Sequence, residues 1–301
     1  MTAKPRDTLS DVAVVTQRLA VLLGAGVAPV SAWQHLAVGS SSPVVLAAAG
    51  VESAHIPDTI AEAAATLPPL EAGAWRGLAA AWSIATDAGA SLAPSLTSYA
   101  QSLRSLAQTQ RDVAVALAGP VATARIVMVL PVVGVLFGLA LGFDTVGTLL
   151  TTTPGWVCLA SGGLGLFAAH RWNSRLVGSA RPTDATPGLD FDLAAIAVGG
   201  GGSLDRAMAA VRVAGEEFGI LVGDLDEVLD LSRRAGVPAG ELLRTEAEEA
   251  RRTARSGAQE RAAALGVKLM LPLGLCVLPA FMALGVAPLL ITVISSTVGS
   301  F

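Results

Sequence analysis

The sequence predicts an all-α membrane protein: two cytoplasmic antiparallel helical-bundle domains, about three transmembrane helices, and an internal repeat. Three observations carry this reading. Hydrophobic residues make up 52% of the chain and charged residues only 15%, against about 25% charged in an average soluble domain; the mean hydropathy is +0.61. Two long segments are nearly free of charge, since Ile126 to Ala169 carries only Asp144 and Leu269 to Phe301 carries none. A bilayer crossing takes about 20 apolar helical residues, so the first segment has room for two crossings and the second for one. Elsewhere, apolar residues recur at helical spacing between Gly and Pro breaks.

Residues 1–124 read as a first cytoplasmic domain of about six helices. The opening stretch has no continuous apolar core before Asp11, unlike a signal peptide, so the N-terminus is expected in the cytoplasm. Val12, Val15, Leu19, Leu22 and Leu23 mark one helical face; Gly24-Ala25-Gly26 breaks it, and Pro29 opens the next helix, which carries Trp33 and Leu36. Val44 to Leu67 reads as one or two helices interrupted near Pro57. Leu70 to Thr86 is another, with Trp75, Leu78 and Trp82 on one side, ended by Asp87-Ala88-Gly89. A long helix then starts at Ser91 and runs to Ala118, carrying Leu92, Leu96, Tyr99, Leu103 and Leu106.

Residues 125–170 read as a transmembrane hairpin, with spans at about 125–143 and 153–170. The connection from Asp144 to Pro154 has no Lys or Arg, whereas Arg125, Arg171, Arg175 and Arg181 flank the spans, which places those arginines on the cytoplasmic side. A cytoplasmic linker at 171–188 contains Pro182 and Pro187. The second, shorter helical domain is 189–267: a helix, the glycines 199–202, a helix capped by Ser203, then helices from Leu221 to Arg234 and from Pro238 to Arg261. The third transmembrane helix is 268–290, and 291–301 is an outer tail.

Motifs for chemistry are missing. No G-x-x-x-x-G-K-[ST], G-x-S-x-G or H-E-x-x-H stretch occurs, and the glycines 199–202 lack a following Lys-Ser/Thr. His35, His55 and His170 are scattered, and the acidic run Asp224, Asp226, Glu227 and Asp230 lacks the Gly and terminal Glu of a calcium loop. Cys158 and Cys276 lie in apolar segments and read as small hydrophobes. The chain is therefore expected to be no enzyme and to hold no cofactor or metal. Its net charge of −4 argues against bulk nucleic-acid binding. Candidate contacts to anionic lipid headgroups or to an acidic partner surface are Arg104, Arg111, Arg233, Arg234, Arg251, Arg252 and Arg255. Arg125, Pro131, Lys268, Pro272 and Pro279 mark where helices enter the membrane and bend at proline.

The two halves repeat an order of parts. Hairpins centred on Gly26 and Gly202 come first. Asp87-Ala88-Gly89 then corresponds to Arg234-Ala235-Gly236, and each is followed by a long helix with basic residues. The interval from Gly89 to Pro131 is one residue shorter than that from Gly236 to Pro279, and Met128-Val129-Leu130-Pro131 resembles Cys276-Val277-Leu278-Pro279. The second half lacks about one helical hairpin.

With these residues in view, the chain resembles the inner-membrane platform proteins of the type II secretion system F family, in particular those of Tad/Flp pilus assembly. The resemblance rests on Leu22-Leu23-Gly24-Ala25-Gly26-Val27 with Trp33, on Ala88-Gly89 and Ala235-Gly236, and on Lys268 to Ala280, KLMLPLGLCVLPA. The first half is more like a TadB-type member and the second like a TadC-type member, as two modules in one chain. The resemblance implies a platform protein of the cell inner membrane, multi-pass, that couples a cytoplasmic secretion ATPase to assembly of prepilin or pilin subunits. Membrane lipid and further copies of the chain are the other expected partners. The N-terminus is expected in the cytoplasm and the C-terminus outside. The alternatives are a small membrane transporter, which needs polar groups at mid-membrane depth where the sequence offers Thr145, Thr148, Ser161 and Cys276, or a membrane signalling scaffold.

Overall fold

The computed structural model describes residues 8–141, 145–179, 186–288, 290–291 and 294, and every regular element among them is helical. Asp144, the linker residues 180–185 and most of the tail after Ile291 lie outside the described residues. The helices are α1 (Thr8–Gly24), α2 (Pro29–Ala37), α3 (Pro43–Ala48), α4 (Ile56–Ala64), α5 (Pro69–Asp87), α6 (Leu92–Ala140), α7 (Thr145–Thr151), α8 (Thr153–Ser179), α9 (Leu189–Gly199), α10 (Leu204–Phe218), α11 (Asp226–Ala235) and α12 (Ala239–Lys268). A further helical run extends past Met270.

The chain divides into two compact units, and the division does not follow chain order: Met1–Arg111 with Thr183–Ser256 form one, Asp112–Pro182 with Gly257–Phe301 the other. The helical segments 1–124 and 189–267, read from sequence as separate domains, thus contribute to one core. That core runs from Leu9 through Trp33, Trp75, Leu78 and Leu103 to Leu193, Val211, Phe218 and Leu243.

The sharing has a local cause in α5, PLEAGAWRGLAAAWSIATD, which buries Ala72, Ala74, Gly77, Ala79, Ala80, Ala81 and Ala85 alongside Trp75, Leu78, Trp82 and Ile84. Small residues let helices approach from several sides, and α5 packs on α1, α4, α9 and α10. α1 reaches this core with Leu9, Val12, Ala13, Thr16, Leu19 and Ala20, all buried and at helical spacing. Tyr99 of α6 is buried against α5 and donates its hydroxyl to the Ala74 carbonyl at 2.7 Å.

The breaks follow from turn chemistry. Gly26, Gly89, Gly201, Gly219 and Gly236 all adopt positive φ, a conformation costly for other residues. The left-handed residue of the second opening hairpin is therefore Gly201 rather than Gly202. Ser203 caps α10, its side chain accepting from the Arg206 amide. The interruption expected near Pro57 falls earlier, in residues 49–55, because Pro57 fits the first turn of α4, where its missing N–H costs nothing. α11 starts at Asp226 instead of Leu221; Asp224 Oδ1 accepts from the Asp226 amide and holds the turn.

In the second unit the surface is apolar, with Ile126, Leu136, Phe137, Trp156, Val157, Leu164, Phe167, Leu275 and Leu278 exposed. Among the described residues, two helices are long and apolar enough to cross a membrane, at Val121–Ala140 within α6 and within the run Ala239–Val286. Such a surface suits hydrocarbon better than water. α8 packs on the C-terminal helical run. Glycines make this close: a Cβ on Gly162 would overlap the Leu284 side chain, and one on Gly165 would lie 3.1 Å from the Cys276 carbonyl oxygen; on α6, a Cβ on Gly134 would lie 2.9 Å from the Phe281 ring.

The C-terminal run is deformed at its prolines. Its turns Leu273–Val277 and Met282–Val286 are π-helical. The residue four before Pro279 is Leu275, and the one four before Pro288 is Leu284, so each widened turn holds the carbonyl that a proline ring would strike. The residue four before Pro272 is Lys268, where α12 ends. α6 remains helical through Pro131.

Gly77 offers a direct test of the tight packing on α5. A Cβ there would strike the Tyr99 hydroxyl and lie 3.3 Å from Leu189 Cδ2. Gly77→Ala is expected to lower stability by about 1–3 kcal/mol through overpacking and a displaced hydrogen bond. Gly73→Ala, which meets nothing within 4 Å, is expected to be neutral or stabilising by up to ~1 kcal/mol. Thermal unfolding of the two purified variants compares them.

Candidate functional site

The polar feature that distinguishes the first unit is a groove between α6, α9 and α12. On α6, Ser98, Ser102, Ser105 and Thr109 recur at intervals of four, three and four residues and so form one stripe. On α12, Arg244, Glu248, Arg251, Arg252 and Arg255 form the facing stripe. A cavity of about 370 Å³ lies between them, and Asp192 of α9 reaches its floor. A second hollow of about 260 Å³, lined by Ser91, Ser95, Ile196 and Gly199, shares Ser98, Asp192 and Arg244 with the first.

Asp192 holds the three helices together. α9 is almost wholly apolar, and Asp192 falls on its buried face between Leu189 and Leu193. Its carboxylate is 4% exposed and accepts from Arg251 Nη1 at 2.8 Å; Arg251 is 12% exposed. The Ser102 hydroxyl donates to the same Oδ2 at 2.6 Å. Burial raises the Asp192 pKa above the usual carboxylate range, and the Arg251 charge and the Ser102 and Arg251 hydrogen bonds pull it back only in part. Asp190, in the same first turn of α9, adds to the upward push and accepts from the Gly223 amide at 3.2 Å.

A separate acidic group lies on the same unit. Glu217 is pushed upward first by desolvation and then by Asp58 and Asp87. These residues come from α10 and from the consecutive helices α4 and α5, far from it in sequence.

The arginines named from sequence fall in different surroundings. Arg251, Arg252 and Arg255 meet at the groove, joined there by Arg244. Arg252 approaches Glu248 at 3.6 Å and Glu249 at 3.9 Å, and Arg244 pairs with Glu241 at 3.0 Å. Arg233 instead lies near Asp230 and Asp205, and Arg234 donates to the Asp230 carbonyl. Arg104 is exposed, and Arg111 bonds to Ser10 and Gln108. Arg125, Lys268 and Pro279 are exposed, while Pro131 and Pro272 are buried. Asp192 and Ser102 escaped the sequence reading. The signal available was a pair of acids, Asp190 and Asp192, in a helix whose other side chains are apolar, together with a serine stripe on α6.

Comparison with known proteins adds one result. Residues 15–140 match the family model described as Type II secretion system (T2SS), protein F. No curated protein and no solved structure matches the chain. The matched region starts inside α1 and ends at Ala140, the last residue of α6. It contains the serine stripe of the groove, whereas Asp192 and the arginines of α12 lie beyond it. Residues 15–140, less than half of the chain, are thus similar to protein F, and among the described residues two helices have the length and composition of membrane spans.

The Asp192–Arg251 pair yields a measurable consequence. Arg251→Met strands a buried carboxylate, and the expected loss at neutral pH is about 3–5 kcal/mol. Arg251 lowers the Asp192 pKa, so its removal raises that pKa further. A raised folded-state value gives stability that is full below the unfolded value of about 3.9 and is lost as pH rises through the folded value. The penalty of Arg251→Met should therefore be smaller at pH 5 than at pH 7.5, and Asp192→Asn in the same chain should recover much of it. Thermal unfolding at the two pH values checks both.

Proposed function

We propose that this protein is an inner-membrane platform of a Tad/Flp-type pilus or type II-like secretion machine, coupling a cytoplasmic secretion ATPase to the assembly of pilin subunits. The observation that carries the reading is α6. It begins in the core of the first helical unit and continues without interruption into an apolar stretch long enough to cross a membrane, and it closes the region that matches protein F. At 1.5 Å per residue its 49 residues measure about 70 Å. A continuous hydrogen-bonded helix transmits displacement along its axis, whereas a loop absorbs it. α12 repeats the arrangement, with charged residues in its first turns and an apolar run after Lys268. In this reading the ATPase moves the helical unit, and α6 and α12 carry that motion to pilin subunits in the bilayer.

On this proposal the chain combines a TadB-like and a TadC-like module and crosses the inner membrane three times, with α8 as the second span. α8 supports that assignment by packing its glycines on the C-terminal run while exposing Val157, Leu164 and Phe167.

The intact protein in detergent should co-purify with the secretion ATPase encoded beside it; no association across a range of nucleotide states would remove the coupling role. A reporter fused after Phe301 should be active only when the reporter requires the outer side, and cytoplasmic activity there would reverse the topology.

A further inference from the structure

We propose that the stretch of α8 from Phe167 to Arg175 binds an anionic phospholipid, with the headgroup at Arg171 and Arg175 and an acyl chain along Phe167. The inference rests on reading the second unit as embedded in a bilayer. It concerns residues outside the groove and outside the charged face of α12.

The charge at this site is in surplus. The second unit carries Arg125, Arg171, Arg175, Arg181, Arg261 and Lys268 against Asp112, Asp144 and Glu260, although the chain as a whole has net charge −4. In the first unit, Arg244, Arg251 and Arg252 are taken up by Glu241, Asp192, Glu248 and Glu249. Among the described residues, neither the Arg171 nor the Arg175 side chain has an ion-pair or hydrogen-bond partner. Both are exposed. Four residues apart, they share one face of the helix. With Phe167, His170 and Ser174 they line a hollow of about 310 Å³.

The neighbouring helix brings another cation to the same end. A Cβ on Gly162 would meet Leu284 and one on Gly165 would meet Ala280, while Leu176 and Val177 pack against Leu265 and Leu269. α8 thus runs antiparallel to the C-terminal run, and Lys268 stands at the end of the pair that holds Arg171 and Arg175.

The order of side chains along α8 favours an amphiphile over a free anion. Leu164 and Phe167 are 69% and 65% exposed, and Arg171 and Arg175 follow at one-turn intervals. The rise from Phe167 to Arg175 is about 12 Å. Trp172, also exposed, lies between the arginines, as aromatic residues do where hydrocarbon gives way to headgroups. A free phosphate would use only the cationic half of this surface. A phospholipid uses both halves: its phosphate accepts from two guanidinium groups while its chain covers Phe167.

Native mass spectrometry reads the preference directly, using the full chain released from detergent micelles with equal parts phosphatidylglycerol and phosphatidylcholine. The native chain should retain phosphatidylglycerol over phosphatidylcholine. Arg171→Gln with Arg175→Gln should cut that retention about tenfold or more, with the helical circular dichroism signal unchanged. Arg171→Lys with Arg175→Lys should keep most of it, since the charge remains. Arg252→Gln, on the first unit, should have no effect. Millimolar glycerol phosphate should not displace the lipid. Equal retention by the double glutamine variant, no preference in the native chain, or displacement by glycerol phosphate would each overturn the site. Carbonate extraction of membranes tests the embedding separately. A chain that stays with the membrane yet shows no preference loses the lipid site alone, and a chain that carbonate releases loses the embedding on which the site rests.

Discussion

The fold depends on the small residues that α5 buries between its large ones, Trp75, Leu78, Trp82 and Ile84. Its alanines and Gly77 allow α1, α4, α9 and α10 to approach a single helix, and dispersion contacts fall off steeply with any gap. Trp33 and Trp82 then fill the larger spaces, their ring centroids 6.3 Å apart and tilted. Because α9 and α10 follow the apolar hairpin in sequence, this packing brings together parts of the chain separated by more than a hundred residues. The buried Asp192 is a consequence. Once α9 is drawn into the core, an acid on its inner face must find a cation and a donor, and α12 and α6 supply Arg251 and Ser102.

The second unit is built on other terms. Its helices expose apolar side chains outward, so burial from water cannot hold them together in a bilayer. Close approach does that work, through Gly134, Gly162 and Gly165 against Phe281, Leu284 and Cys276. The prolines of the C-terminal run interrupt hydrogen bonding at Pro272, Pro279 and Pro288, and the two π-helical turns absorb the steric conflict locally. α6 carries no such widened turn within Leu92–Ala140. The two helices that join the units thus differ in regularity, although both link a charged or polar stripe to an apolar stretch.

A regular helix keeps one hydrogen-bond register along its length, whereas each π-helical turn shifts that register locally. The groove lies between these same two helices in the first unit, with α9 as its floor.

Much was legible in the sequence because it depends on local chemistry. The helical character, the left-handed glycines at Gly89 and Gly236, the Ser203 cap and the two long apolar helices follow from spacing, backbone freedom and side-chain polarity within a few residues. The stretch that resembles protein F, residues 15–140, contains such local patterns too, in the opening hairpin and the turn at Ala88-Gly89. The meeting of 1–111 with 183–256 in one core was decided only in three dimensions, since complementary small and large surfaces on distant helices leave no mark in either segment alone. The same holds for the groove. Arg251 reads as one of several arginines on a charged helix, and Ser102 as one of many serines; only the burial of Asp192 between them separates a structural ion pair from a solvated charge.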